Sequence, residues 1–307
     1  MDRRRFLEVS GRTFALASLA GILPRRAQAA TVPAQAAAPK EGAPGSAPQA
    51  AAPAKRKGHI NHSVCRWCYG GISLDDLCKN AVAMGIASIE ILSENDWPTL
   101  KKYGLTCAMP NGPGGIPDGW NRTEHHDDLV KNSEALLPKI AAAGLPNMIV
   151  FSGNKKGQAD SEGVANCAAG LKRIAPLAEK LGVTIALEIL NSKVDHGDYA
   201  FDNMRYGLEV VQKSGSNRVK ILYDIYHAQI MEGDVIRTIR DHKDSIAHFH
   251  TGGVPGRHEI DETQELNYTA VCHAIAETGY KGFVAQEFVP TRDPMTSLRQ
   301  AIEICDV

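Results

Sequence analysis

Along the chain, short runs rich in β-branched and alternating apolar residues take turns with longer stretches whose apolar residues recur at i, i+3, i+4 and i+7. No other feature constrains the fold as much. The strand-like runs are HINHSV (59–64), ASIEIL (87–92), LTCAM (105–109), NMIVF (147–151), VTIALE (183–188), VKILYD (219–224), SIAHFH (245–250) and FVAQEF (283–288). Helical stretches such as LDDLCKNAVAMG, HDDLVKNSEALLPKIAAAG and YTAVCHAIAETG stand between them, several ending in Gly as helices commonly do. Strict alternation of this kind predicts an α/β fold with a parallel sheet. The segment from about His59 to Val307, roughly 250 residues, has the usual size of one (β/α)8 TIM barrel forming a single domain. An open doubly wound sheet is the alternative, but no GxGxxG opens a helix after the first strand.

Ionisable residues mark the ends of the last four runs: Glu188, Asp224, His250 and Glu287. Their separations of 36, 26 and 37 residues are each close to one strand-plus-helix unit. At the carboxyl ends of consecutive barrel strands they converge on the mouth, where such folds keep their chemistry. Any one of them alone is more often a helix cap or a surface charge. Three carboxylates brought together repel one another, and a divalent cation relieves the repulsion. The expected cofactor is therefore a divalent metal held by Glu188, Asp224, His250 and Glu287, a donor set suited to Mg, Mn or Co.

A metal that chelates adjacent carbonyl and hydroxyl oxygens acidifies the C–H between them, and a carboxylate on either face then moves the proton. Glu188 and Glu287, on strands flanking Asp224 and His250, are the catalytic candidates. His227, three residues past Asp224, and Arg257, in the VPGRHE loop after His250, are candidate substrate contacts, as is Trp67 just past the first strand. The chemistry suits isomerisation or epimerisation of a small hydroxy-carbonyl compound or sugar.

The quartet, the D-x-x-H of Asp224 and His227, and VPGRHE followed by Glu265-Leu266-Asn267-Tyr268 resemble the hydroxypyruvate isomerase branch of the xylose-isomerase-like barrel superfamily. The likeness runs from about His59 to Pro294. It implies an ene-diolate mechanism converting hydroxypyruvate to 2-hydroxy-3-oxopropanoate, with Glu188 and Glu287 as proton donor and acceptor and the metal on all four residues. His250 stands where some hydroxypyruvate isomerases carry Gln and ketose 3-epimerases carry His, which keeps an exported sugar or keto-sugar epimerase as the alternative. A metal-dependent phosphodiester hydrolase on the same barrel needs more His and Asp ligands and a basic face, and a non-catalytic binding protein has no need of both glutamates.

The chain begins MDRRRFLEVSGRTFALASLAGILPRRAQAA. A basic start with Arg3-Arg4 before Phe6-Leu7, a short apolar run and Ala27-Gln28-Ala29 predict a twin-arginine-type signal peptide over 1–29 and export to the periplasm. The apolar run is too short to span a bilayer, so no stable membrane insertion is expected after cleavage. Residues 30–57, mostly Ala, Pro, Gly and Gln, read as a disordered linker, and 58–307 as the barrel. Without 1–29 the chain has 28 basic and 33 acidic residues, which gives no reason to expect a nucleic-acid partner. Homo-oligomerisation is left open. The seven cysteines are odd in number and scattered, and Cys65-x-x-Cys68 reads as small buried or loop thiols. His248 shares a face with His250 and is expected to be a core partner rather than a ligand. Glu90 and Glu94 read equally as substrate contacts or wall charges. Arg66 and Tyr69 are open between pocket lining and rim packing, His125 and His126 are expected to be solvated, and the loop AMPNGPGGIPDGWNRTEHH is placed over the mouth.

Overall fold

The computed structural model describes residues 54–307; the signal segment and nearly all of the linker expected from the sequence lie outside them. Seven strands form one parallel sheet: β1 (Asn61–Cys65), β2 (Ser88–Glu90), β3 (Asn147–Val150), β4 (Thr184–Glu188), β5 (Val219–Asp224), β6 (Ile246–Thr251) and β7 (Phe283–Gln286). Their order is β2-β1-β7-β6-β5-β4-β3. The helices are α1 (Leu74–Met84), α2 (Trp97–Lys102), α3 (His126–Ala142), α4 (Asp160–Leu181), α5 (Met204–Ser214), α6 (Ile225–Met231), α7 (Val235–His242), α8 (Tyr268–Glu277) and α9 (Pro294–Cys305). Side chains of Ser73, Asn203, Asn267 and Asp293 accept first-turn N–H groups at the starts of α1, α5, α8 and α9. No helix among the described residues is long and apolar enough to cross a membrane.

The expected eighth strand, Leu105–Met109, is not regular, yet it closes the ring. Thr106 exchanges backbone hydrogen bonds with Ala87 and Ile89 beside β2, and Ile149 of β3 donates to the Pro110 carbonyl. Between them the ladder is broken at Ala108. Its N–H donates to Ser88 Oγ (2.8 Å), and its carbonyl accepts from the Asn147 side chain (2.8 Å), so side chains take the place of backbone partners.

Because strand side chains alternate in direction, the barrel has two apolar layers. Val64, Ile89, Met148, Ile185, Ile221, Tyr223, Phe249 and Val284 point outward into the large core shared with the helices. Met109, Ile149, Ala186 and Leu222 form a small inner cluster. The inward parity also carries Glu90, Glu188, Asp224, His248 and His250, all buried. The side chain two residues beyond an inner apolar position thus reaches the mouth: Ala186 leads to Glu188 and Leu222 to Asp224.

The loop of residues 110–121 lies against the carboxyl end of β3, with Trp120 and Asn121 donating to the carbonyls of Phe151 and Ser152. Glycine makes this approach feasible, since a Cβ on Gly112 would sit 1.9 Å from the Ile149 carbonyl oxygen. Gly112→Ala is expected to cost about 1–3 kcal/mol through backbone displacement, read as a lowered midpoint in urea denaturation. An unchanged midpoint would show that the loop is not seated this tightly.

Candidate metal and proton-transfer site

Glu188 ends β4, Asp224 ends β5, His250 lies near the end of β6, and Glu287 follows β7 directly. Asp224 is paired in register with His250, and Glu287 extends the ladder by donating its N–H to the Thr251 carbonyl. The four side chains each place a ligand atom within 4.8 Å of the others, and all four are buried. Asp224 also caps α6: its Oδ1 accepts from the backbone N–H groups of Tyr226 (2.9 Å) and His227 (3.3 Å). That leaves Oδ2 turned to the site.

His250 faces two ways. Its Nδ1 is 3.0 Å from Glu188 Oε1 and 2.7 Å from Glu287 Oε2. Its Nε2 points into the barrel, 3.8 Å from Cys65 Sγ and 3.9 Å from Glu90 Oε1. Beneath it His248 Nε2 is hydrogen-bonded to Glu90 Oε1 (3.0 Å). His248 is therefore the core partner expected of it, and Glu90 is a wall charge rather than a lining residue. Glu94 pairs with Lys139 on the surface.

Arg257 comes from the loop after β6. Its backbone lies in the left-handed region (φ 58°), and its N–H donates to the Gly253 carbonyl. This turn sends the guanidinium back over the ligands. Nη2 donates to Asp224 Oδ2 (2.7 Å) and to Glu287 Oε2, and Nε donates to the Glu287 carbonyl (3.0 Å). Nη1 lies 2.5 Å from His227 Nε2. The guanidinium also sits over the Tyr226 ring, 4.9 Å from its centroid. On the His227 ring, Nδ1 accepts from the Asn191 N–H (3.1 Å). Trp67, 49% exposed, donates its indole N–H to Glu287 Oε1 (2.7 Å).

These contacts push the two glutamates apart electrostatically. Burial raises Glu188 to about 7, with the carboxylate of Glu287 adding to the rise and the His250 hydrogen bond opposing it. Burial works on Glu287 as well, but His250, Arg257 and the Trp67 hydrogen bond outweigh it and hold its carboxyl well below the ordinary range. His227 is kept neutral, well below the usual histidine value, by burial and the adjacent Arg257.

A cavity of about 420 Å³ opens above the ligands, and Trp67, His227, Arg257, Glu188 and Glu287 all line it. The sequence did not single out Asp195 and His196, from the NSKVDHGD loop after β4, which also line it. A loop following a strand that ends in a ligand was the available signal. Ile116 of the long loop after residue 109 reaches the cavity, so that loop does border the mouth. Arg66 instead donates to the carbonyls of Tyr69 and Ile72, and Tyr69 is buried edge-on against Phe288. The expectation of a solvated His126 is corrected: it is buried, with Nε2 2.9 Å from the Trp120 carbonyl oxygen, because the loop folds back over the start of α3.

Residues 78–306 match the family described as Xylose isomerase-like TIM barrel. The chain belongs to that family. The barrel thus has a common origin with a family of enzymes. Among curated relatives of this xylose isomerase-like chain, a 2-oxo-tetronate isomerase from Haemophilus influenzae is 27% identical over 235 residues, 73% of this chain and 90% of the relative. A Danio rerio protein provisionally named hydroxypyruvate isomerase is 31% identical over 120 residues, 39% of this chain and 44% of that protein. Among solved structures, the apo 3-keto-D-glucoside 4-epimerase of E. coli superposes with a TM-score of 0.66 at 19% identity, covering 80% of this chain and 98% of that one. That likeness is one of fold.

The donor set fits a divalent cation: three carboxylates and an imidazole, hard ligands that are buried and close enough to share one ion. Beside this site Glu259 serves stability. Its carboxylate accepts from Thr291 N (2.9 Å), Thr291 Oγ1 (2.8 Å) and Ser297 Oγ (2.8 Å), tying the Arg257 loop to the segment after β7. Burial pushes it up, but these hydrogen bonds prevail and hold it at about 2, against an ordinary 4.5. A depressed carboxyl contributes stability above its unfolded value and loses it as pH falls through the folded one. The stability lost in Glu259→Gln is thus expected to be full near pH 6 and to shrink between about 4.5 and 2. Urea midpoints of both proteins at pH 6 and pH 3.5 test this; an equal gap at both would contradict it.

Proposed function

We propose that this protein is a metal-dependent isomerase that moves a proton between adjacent carbons of a hydroxy-carbonyl substrate through an ene-diolate. The observation that carries the reading is the placement of two glutamates, Glu188 and Glu287, at the two ends of the arc of ligands, with Asp224 and His250 between them. A divalent cation held by Glu188, Asp224, His250 and Glu287 supplies Lewis-acid charge to the substrate's paired oxygens.

Substrate enters the cavity beneath Trp67, where His227 and Arg257 line the wall beside the two glutamates. One glutamate removes the proton from the hydroxyl-bearing carbon next to the carbonyl, and in an isomerisation the hydroxyl proton passes to the former carbonyl oxygen. The other, facing the substrate from β4 or β7 as the case requires, returns a proton to the neighbouring carbon or to the opposite face of the same carbon. The Trp67 hydrogen bond fixes Glu287 in place. The buried surroundings keep bulk water from quenching the ene-diolate.

Relatives named 2-oxo-tetronate isomerase and hydroxypyruvate isomerase support an aldose–ketose type of reaction, with hydroxypyruvate to 2-hydroxy-3-oxopropanoate as its simplest form. A sugar or keto-sugar epimerisation uses the same two-glutamate geometry, and the like-folded epimerase favours keeping it as the second reading. The test is product analysis by NMR after incubating the Mg-, Mn- or Co-loaded protein with hydroxypyruvate, 2-oxo-tetronate and a set of ketoses. Interconversion of one compound without added redox cofactor is expected. Hydrolysis of a phosphodiester, or no conversion by metal-loaded protein, would contradict the proposal. Export to the periplasm through the segment 1–29 remains part of the proposal and is tested by fractionation, with the mature form expected to begin at Ala30.

A further inference from the structure

The barrel mouth is divided into a polar half and an apolar half. All four ligands come from β4 to β7, on one side of the ring. Across from them the cavity is lined by Ile91 past β2, Ile116 of the long loop, and Ile149 and Phe151 at the end of β3, and Leu190 past β4 joins this wall to the ligand side. Every one of these side chains is hydrocarbon. Below them Ile149 joins the inner cluster with Met109, Ala186 and Leu222, so the apolar surface continues downward.

Ile91 shows that this wall is held in place against a cost. It is a β-branched residue at φ 58°, a region such residues rarely occupy, and its N–H is fixed to the Met109 carbonyl at 2.8 Å. Strain of this kind persists where the surroundings over-determine it, commonly at functional sites. The polar half gives complementary information. Arg257, the guanidinium lining the cavity, directs Nε and Nη2 to Glu287 and Asp224 and packs Nη1 against His227. Arg257 and the quartet thus gather the charged groups on one half of the mouth.

A substrate bearing hydroxyls or a carboxylate along the Ile91–Phe151 side would bury them unpaired, at about 1–3 kcal/mol for each group. The cavity, about 420 Å³, lies within the range of sites that enclose ligands far larger than a three-carbon acid.

We infer that the substrate is a hydroxy-ketone of sugar size whose terminal carbon is a methyl rather than a hydroxymethyl group, seated against Ile91, Ile116, Ile149, Phe151 and Leu190. This rests on the proton-transfer reading above and specifies the substrate class of that same site.

The test uses matched ketohexoses that differ by one hydroxyl: L-fructose with L-rhamnulose, L-tagatose with L-fuculose, and D-psicose with 6-deoxy-D-psicose, together with hydroxypyruvate. The quantity measured is kcat/KM for solvent deuterium incorporation by the Mn-loaded protein. In whichever pair exchanges, the 6-deoxy member is expected to be favoured by about 10–100-fold, the discrimination an apolar pocket gives against an added hydroxyl. Ile116→Asn, on a partly exposed loop, is expected to narrow that ratio to about threefold or less. Equal rates within every pair, hydroxypyruvate as the best substrate, or a ratio unmoved by Ile116→Asn would each overturn the inference while leaving proton transfer standing. Exchange with no compound would overturn the proton-transfer reading and this inference together.

Discussion

Glu188→Gln and Glu287→Gln are each expected to lower turnover by about 10²–10⁴-fold while the protein stays folded. Glutamine keeps the shape of glutamate and one acceptor oxygen, so Glu188→Gln can still accept from His250 Nδ1, and Glu287→Gln can still accept from Trp67. What it cannot do is take up and return a proton. Because each glutamate also offers an oxygen to the cation, metal content must be measured beside the rate. Loss of turnover with metal retained assigns the effect to proton transfer. Loss of both assigns it to ligation, and full turnover in both variants would eliminate the two-glutamate mechanism.

Arg257→Met is expected to give the second large effect, on stability. Asp224 is wholly buried and accepts from Nη2 of Arg257, as does Glu287. Removing one partner of a buried ion pair costs about 3–5 kcal/mol because the other charge is left uncompensated. In chelator, Arg257→Met should therefore melt well below the parent protein. Added Mn or Mg should return much of the difference, since a cation bound at about 100 times its Kd contributes about 2.7 kcal/mol. Thermal melts of both proteins with and without metal measure this. Equal metal-induced shifts in the two would show that Arg257 and the cation do not serve the same carboxylates.

Much of the barrel was legible because its physics is local. The alternation that turns Ala186 and Leu222 inward also turns Glu188 and Asp224 inward, and a period of two can be counted in the sequence. The segment Leu105–Met109 carried the same pattern, yet it is not a regular strand, because the side chains of Ser88 and Asn147 capture the polar groups of Ala108. Those competitors lie far away in the chain. His126 looked solvated as the opening residue of a helix, and only the fold of the loop before it brings the Trp120 carbonyl to its ring.

The convergence of Glu188, Asp224, His250 and Glu287 was legible, the walls around them much less so. Arg257 was recognisable as a cation near the metal residues, but its left-handed backbone, which decides that its donors turn to Asp224 and Glu287, leaves no mark in composition. Ile91 depends likewise on an unusual backbone conformation, and Ile116 on the course of a long loop held by close approaches at Gly112 and Gly119. Residues on strands announce their direction by parity, whereas those on loops do not.

The measurement that tests the central claim most directly is solvent deuterium incorporation by the purified protein, first stripped of metal and then reloaded with Mg, Mn or Co. Each form is incubated with hydroxypyruvate, 2-oxo-tetronate and the ketose pairs, and label is located by NMR. Deuterium at the carbon next to the carbonyl, present only in the metal-loaded protein and abolished by Glu188→Gln and Glu287→Gln, is the expected result. A tightly bound metal with no label in any compound would contradict proton transfer as the function of this site.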